Sequence, residues 1–419
     1  MSRLPTLLLT CAVLFISGCT GSSPLGPSEG AADAVVFDGG TGLDSGAGLD
    51  SSVDGGATLD GSAGLDSSLD GGALDAGFSC VSTYPEPPKI TLPKDEARHA
   101  DMFEWWYWTG HLETAAARSF GFQLTFFEST PNPTIASLSG TMAHFGVTDV
   151  LTGVYTHDYQ SSLPGSYTQK QNSFRVSNGA WWAEGANGSY TLHSEMNGYT
   201  LDLALTDAKR AVLNFGDGYT AYPAPYAGYT YYDSRPRLRA AGTIKVSGVA
   251  YPVSGEVWMD QQWGQPLQTG PATIFGPTIE KDYGWDWYQF QFDSGEELML
   301  FMLRAKGKQI LAGGTWIGKD CAYESLDASA FEVKALSSWK SPHTSLTYPQ
   351  NWQITLKSKG LNFTATAVVA DQEVYKHTQG NPLLASLAPA YWEGKVSIAG
   401  TGPNNTKLSG RGYAEAIGQ

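Results

Sequence analysis

Apolar residues return at every second position through much of the chain. Phe120, Phe122, Leu124 and Phe126 alternate with Gly121, Gln123 and Thr125; Tyr199, Leu201, Leu203 and Leu205 repeat the pattern, as do Trp352, Ile354 and Leu356. Successive side chains of a β-strand leave opposite faces, so a period of two marks strands with one buried face. The run 298–303, Leu-Met-Leu-Phe-Met-Leu, has no polar side and is expected in a strand covered on both faces or lining a barrel. Turn signals such as Ser177-Asn178-Gly179, Asn197-Gly198, Asp217-Gly218 and Asp293-Ser294-Gly295 separate the strands at short intervals. Few segments sustain a helical period. Strands with one apolar face cover their edges by closing into a barrel or pairing as a sandwich, so the expected class is all-β.

The first part of the 419 residues does not share this pattern. Arg3 and the apolar stretch 4–16 read as an export signal, too short to span a bilayer as a lone helix. The signal ends at Ile16-Ser17-Gly18-Cys19, which resembles the lipobox of bacterial lipoproteins. That resemblance implies a signal peptide over 1–18, lipidation of Cys19 and, with Thr20 behind it, sorting to the outer membrane. Residues 19–80 are rich in Gly, Ser, Ala and Asp, and lack the doubled glycines and nine-residue period of a calcium β-roll. They read as a disordered, self-repelling tether that reaches on the order of 40 Å.

Ten acids in residues 1–79 face Arg3 alone, which leaves the remainder near −6 of a total of −15. No basic stripe argues for nucleic acid. With Cys11 removed and Cys19 lipidated, Cys80 and Cys321 remain in a compartment where a disulfide is permitted; one sequence leaves their pairing open.

Seven of the 13 tryptophans fall in three runs that each carry a carboxylate: Glu104-Trp105-Trp106-Tyr107-Trp108, Trp258-Met259-Asp260-Gln261-Gln262-Trp263 and Gly284-Trp285-Asp286-Trp287. Apolar walls raise a carboxyl pKa, so such an acid can hold its proton near neutrality. The alternative is that the indoles fill a core while the acids point outward. A tyrosine-rich passage from Tyr219 to Tyr232, broken by Pro223 and Pro225, reads as a loop that rims a pocket or connects domains. No Gly-x-Ser-x-Gly elbow, Walker loop, dinucleotide fingerprint or His-Glu-x-x-His is present, and the seven histidines are never three or four apart. Neither a metal nor a cofactor is expected.

Six ordered motifs carry a family resemblance: Glu104-Trp105-Trp106-Tyr107-Trp108-Thr109-Gly110-His111-Leu112, Ala143-His144-Phe145, Tyr231-Tyr232-Asp233-Ser234-Arg235-Pro236-Arg237-Leu238, Trp258 to Gly264, Gly284 to Trp287, and Tyr391-Trp392-Glu393-Gly394. From about Asp95 to Tyr413 the chain resembles the AttH-like family, which is related to the carotenoid 1,2-hydratases (hydroxyneurosporene synthases) and whose exported members are often labelled secreted hydrolases. It departs from the usual motif at Asp260-Gln261-Gln262, where a second titrating group frequently follows the aspartate.

The resemblance implies a tandem of two lipocalin-like β-barrels, over 85–266 and 267–419, that takes a long apolar, unsaturated ligand in a barrel pocket; a monomer is expected. Expected acids are Asp260, Asp286 and Glu104; expected ligand-binding residues are Trp106, Tyr107, His144, Tyr231, Trp263, Trp285 and Trp287. In a hydratase, a protonated Asp286 or Asp260 would protonate an alkene and indoles would stabilise the cation. Each acid also has a structural reading, such as a salt bridge from Asp286 to Arg304 or Lys281, and His144 is also readable as a core histidine. The rival functions are a non-catalytic lipid carrier on the same barrels and a hydrolase.

Overall fold

The computed structural model describes residues 78–80, 83–130, 140–162, 166–170, 173–273, 276–375 and 390–417. The expected signal peptide, Cys19 and the expected tether up to residue 77 lie outside these residues. Among the described residues, a 14-stranded antiparallel sheet runs from Phe103 to Ile279 and a 10-stranded one from Tyr283 to Ile417. They curl into a nearly closed barrel and a half-barrel.

The first sheet continues past residue 266. The Val249–Thr273 strand carries the Trp258–Gly264 motif near its middle and then pairs with Gly276–Ile279. The tyrosine-rich passage is less loop-like than its prolines suggest. Tyr219–Ala221 pairs with the Ala227–Val246 strand, leaving Pro223 and Pro225 in the turn between them.

Pleating explains how these strands are used twice. One face of the first sheet packs Trp106, Trp108, Phe120, Phe122, Leu124, Phe126, Leu201, Leu203 and Leu205 into the barrel interior. The same face of the second packs Tyr288, Phe290, Phe292, Leu298, Leu300, Trp352 and Ile354. Burying each such side chain contributes about 1.5–3 kcal/mol. Gly110 is needed for this packing, because a β-carbon there would come within 2.2 Å of the Phe122 ring.

The opposite pleat is not left to solvent. From the first barrel it presents Tyr107 and Trp258, from the second Trp287, Met299 and Tyr413, and these form a separate buried cluster between the barrels. The run 298–303 is therefore covered on both faces, with Leu298 and Leu300 in the half-barrel and Met299 and Phe301 packed toward its neighbour.

A buried ionic chain ties the two sheets. Lys209 Nζ, fully buried, donates to Glu297 at 2.8 Å and to the carbonyls of Gly295 and Gly318. Glu297 also accepts from Arg237 at 2.6 Å, Arg237 pairs with Glu256, and Glu256 pairs with Arg411 at 2.5 Å. Lys209, Arg237 and Glu256 belong to the first sheet's segment; Glu297 and Arg411 belong to the second.

The segment before the first strand is anchored to both sheets. Cys80 and Cys321 form a disulfide with a Cα–Cα distance of 4.8 Å, closing a loop of 241 residues. Phe78 lies under Lys209 and Arg237, Tyr84 packs on Tyr323, and Ile90 is buried. A closure this long restricts the unfolded chain, so reduction should lower stability by about 2–4 kcal/mol. Urea unfolding with and without reductant, compared with Cys321→Ser, measures this; an unchanged midpoint would contradict it.

Candidate active site

Two cross-strand rows face one another between the barrels. On the first sheet, register places His144 beside Thr125, Thr125 beside Tyr107, Tyr107 beside Asp260, and Asp260 beside Ser234. On the second, Glu393 lies beside Glu415, Glu415 beside Trp287, and Trp287 beside Phe301. Directly opposed residues on paired strands have β-carbons roughly 5 Å apart, so each row is a continuous strip of side chains. The rows are stitched together by Tyr107 donating to Glu393, by Tyr391 meeting His144 Nδ1 at 2.7 Å, and by Trp287 Nε1 donating to the Tyr232 hydroxyl at 3.0 Å.

The rows border a cavity of about 210 Å³. Its walls are mainly apolar and aromatic, including Phe103, Trp105, Phe127, Met142, Leu267, Trp285 and Trp287, and its acids are Glu104, Glu128, Asp260, Glu393 and Glu415. No lysine or arginine is among the described lining residues. The barrel interiors are occupied by the two cores, so the cavity lies outside both barrels and not in a barrel pocket as expected from the family resemblance.

The acids differ in how they are held. Asp260 accepts from Ser234 and Tyr232 at 2.5 Å and from Trp258 Nε1 at 2.6 Å. Burial pushes it up to about 6, and those three donors keep it from rising further. Burial, then the neighbouring charge of Glu415, holds Glu393 well above the usual carboxylate range, against the stabilising hydroxyls of Tyr107 and Tyr391. Burial pushes Glu415 up to about 7, opposed by the bond from Trp285 Nε1 at 2.8 Å. Gln123 completes the Glu393 shell: with its amide nitrogen turned to the carboxylate it donates at 2.7 Å and accepts from the Tyr155 hydroxyl at 3.0 Å. The site therefore sets Glu393 beside Glu415, both raised by burial above the ordinary carboxylate range, with the less strongly raised Asp260 across the gap.

The structure divides the expected residues. Asp260, Glu104, Tyr107, His144, Trp285 and Trp287 line the cavity. Glu104 is tied to His99 at 2.9 Å and to Gln261 at 3.0 Å. Burial raises Glu104 as well, against the bonds from His99. Asp286 sits between two cavity tryptophans in sequence, so the pleat sends it to the other face, where it pairs with Arg304. Trp106 points into the first barrel and stacks on Phe174, 5.5 Å between ring centres. Trp263 and Tyr231 stack on each other at 5.4 Å, with His99 on Trp263 at 3.8 Å, and none of the three lines the cavity.

Glu393 and Glu415 were not among the expected acids. Glu393 had a signal, since Tyr391-Trp392-Glu393 repeats the pairing of an acid with aromatics; Glu415, between Ala414 and Ala416, had none. Asp286→Asn should cost about 1 kcal/mol, the scale of a partly exposed ion pair. It should leave cavity chemistry within a few-fold of wild type, as read from unfolding midpoints and ligand turnover.

Comparison with known proteins agrees with this architecture. An AttH protein from Nitrosomonas europaea is 26% identical, with a TM-score of 0.64 over 80% of this chain and 98% of that one. Kievitone hydratase from Nectria haematococca is 16% identical and has the same fold, with a TM-score of 0.62 over 81% of this chain and 96% of that one. No curated protein matches the sequence. The AttH-like family model matches residues 83–419, which takes in both sheets and every cavity residue named above, and the chain belongs to that family.

Proposed function

We propose that the protein is a hydratase, adding water across a carbon–carbon double bond of an uncharged, largely apolar ligand held between the barrels. The observation that carries this reading is the cross-strand pair Glu393 and Glu415, both raised by burial above the ordinary carboxylate range, beside the indoles of Trp285 and Trp287. The carboxylate of Asp260, with no lysine or arginine among the described lining residues, disfavours an anionic ligand such as a fatty acid. The fold shared with a hydratase is consistent with this chemistry.

In the proposed reaction, protonated Glu393 gives its proton to one alkene carbon as the π pair forms the new C–H bond. The cation left on the other carbon faces the indoles, each worth roughly 2 kcal/mol when dry. Water attacks that carbon, forming the C–O bond, and releases a proton to the neighbouring carboxylate Glu415. Transfer of that proton within the pair restores Glu393, so the net change is addition of one water. Asp260, fixed by three donors, supplies standing negative charge near the cation. Lipidation at Cys19, proposed from the lipobox, would place this chemistry at a membrane surface where apolar ligands concentrate.

Incubating the full chain with a panel of uncharged terpenoid and prenylated phenolic alkenes in ¹⁸O-labelled water tests the reading. A product heavier by one labelled water supports it. Alkene that is retained but recovered unchanged across the panel would instead assign the carrier function.

A further inference from the structure

Beyond the cavity, the inter-barrel surface continues as a polar seam. Tyr107 is followed on its face by Thr109 and His111, Trp287 by Gln289 and Gln291, and Glu393 by Lys395, while Glu415 is preceded by Tyr413 and Arg411. Same-face residues on a strand are about 7 Å apart, so these residues lead away from the cavity floor. They end at Glu256 and Arg411, whose side chains are 17% and 33% exposed. Gln289 is the cross-strand neighbour of Tyr413, Gln291 is that of Arg411, and the His111 ring lies 5.4 Å from the Tyr413 ring. Opposite His111 the paired strand carries Gly121, where a β-carbon would meet the Tyr413 hydroxyl at 2.5 Å.

Several polar atoms of this seam meet no protein partner. His111 is 1% exposed, and neither of its ring nitrogens has a hydrogen-bonding neighbour among the described residues. The same holds for Gln289 Oε1 and Gln291 Oε1. Gln291 gains nothing by turning its amide, because the Pro236 carbonyl holds its nitrogen at 2.8 Å. Buried polar groups in folded proteins almost always find a partner, and where protein supplies none, internal water does. Burial, with the charges of Lys395, Arg411 and Arg237, keeps His111 neutral, so its ring offers one donor and one acceptor. Amide oxygens only accept, which disfavours an anion at the same place.

We propose that the seam is a water-binding site between the barrels and the route by which water reaches the cavity, with His111 as its central positioning residue; the delivery role rests on the hydratase reading. Hydration consumes one water per turnover. A bound ligand fills the apolar side lined by Phe103, Phe127, Met142 and Leu267, so water enters from the polar side.

A high-resolution crystal structure of the full chain tests the site directly. Ordered waters within hydrogen-bond distance of the His111 ring nitrogens and of both glutamine oxygens are expected, and a dry seam overturns the proposal. His111→Phe gives a second reading in solution. If water bridges the imidazole to its neighbours, the variant strands them and melts at a lower temperature; if the seam is dry, removing an unsatisfied imidazole raises the melting temperature and overturns the proposal. Neither readout uses turnover, so failure on the alkene panel is distinguishable from failure of the site.

Discussion

Glu297→Gln should lower folding stability by about 3–5 kcal/mol, the largest loss expected from an isosteric change in this protein. Glu297 and Lys209 are both fully buried, and Glu297 also accepts from Arg237. Taking away its charge leaves the ammonium with two carbonyls and no counter-ion, in a place water does not reach. Lys209 already sits below its ordinary pKa through burial, despite the attraction of Glu297, so the variant should shed its proton instead of keeping an isolated charge.

Because the ion pair spans the barrels, urea unfolding of the variant should also separate into two transitions as their coupling weakens. Lys209→Met combined with Glu297→Gln should recover part of the loss, since the double change removes the buried amine that has lost its counter-ion. A single cooperative transition with a loss below about 1 kcal/mol would assign the chain of ion pairs a minor role.

Glu393→Gln should reduce turnover by roughly 10²–10⁴-fold, the range expected for loss of a positioned general acid. Glutamine keeps the size of the side chain and can still accept from Tyr107, but it has no proton of useful acidity. It also matches the protonated acid in charge, so folding stability should stay within about 1 kcal/mol of wild type. The contrast is diagnostic: Glu297→Gln acts on stability, Glu393→Gln on chemistry. Turnover unchanged in Glu393→Gln would remove the acid from the mechanism.

Much of the fold was legible because a strand writes its pleat into the sequence. Trp352 to Leu356 alternates as a half-buried strand, and it is one; Phe120 to Phe126 forms the expected strand, but Gly121, Gln123 and Thr125 are buried too, because the second barrel covers that face. The same rule, applied within the tryptophan runs, separates Asp286 from Trp285 and Trp287, since neighbours in a strand face opposite ways. Reading the run as a wrapped acid missed this; Tyr391 and Glu393, two apart, do share a face. What the sequence could not convey is that the outer faces of two barrels meet. The barrel-pocket expectation follows from one barrel considered alone, whereas Glu393, Glu415 and Asp260 become a site only when register and docking bring separate strands together. The disulfide is similar: cysteine count permits Cys80 and Cys321 to join, and only their 4.8 Å Cα separation shows that they do.

The central claim is that Glu393 keeps its proton at neutral pH inside the inter-barrel cavity. A free glutamate loses its proton at about pH 4.3, and a raised pKa in the folded protein means the proton is retained as pH climbs past that value. Isotope-edited infrared difference spectra, wild type minus Glu393→Gln, read this from the carboxyl stretch. A protonated carboxyl band persisting at pH 7 is the predicted result; a carboxylate band already complete at pH 5 would contradict the account.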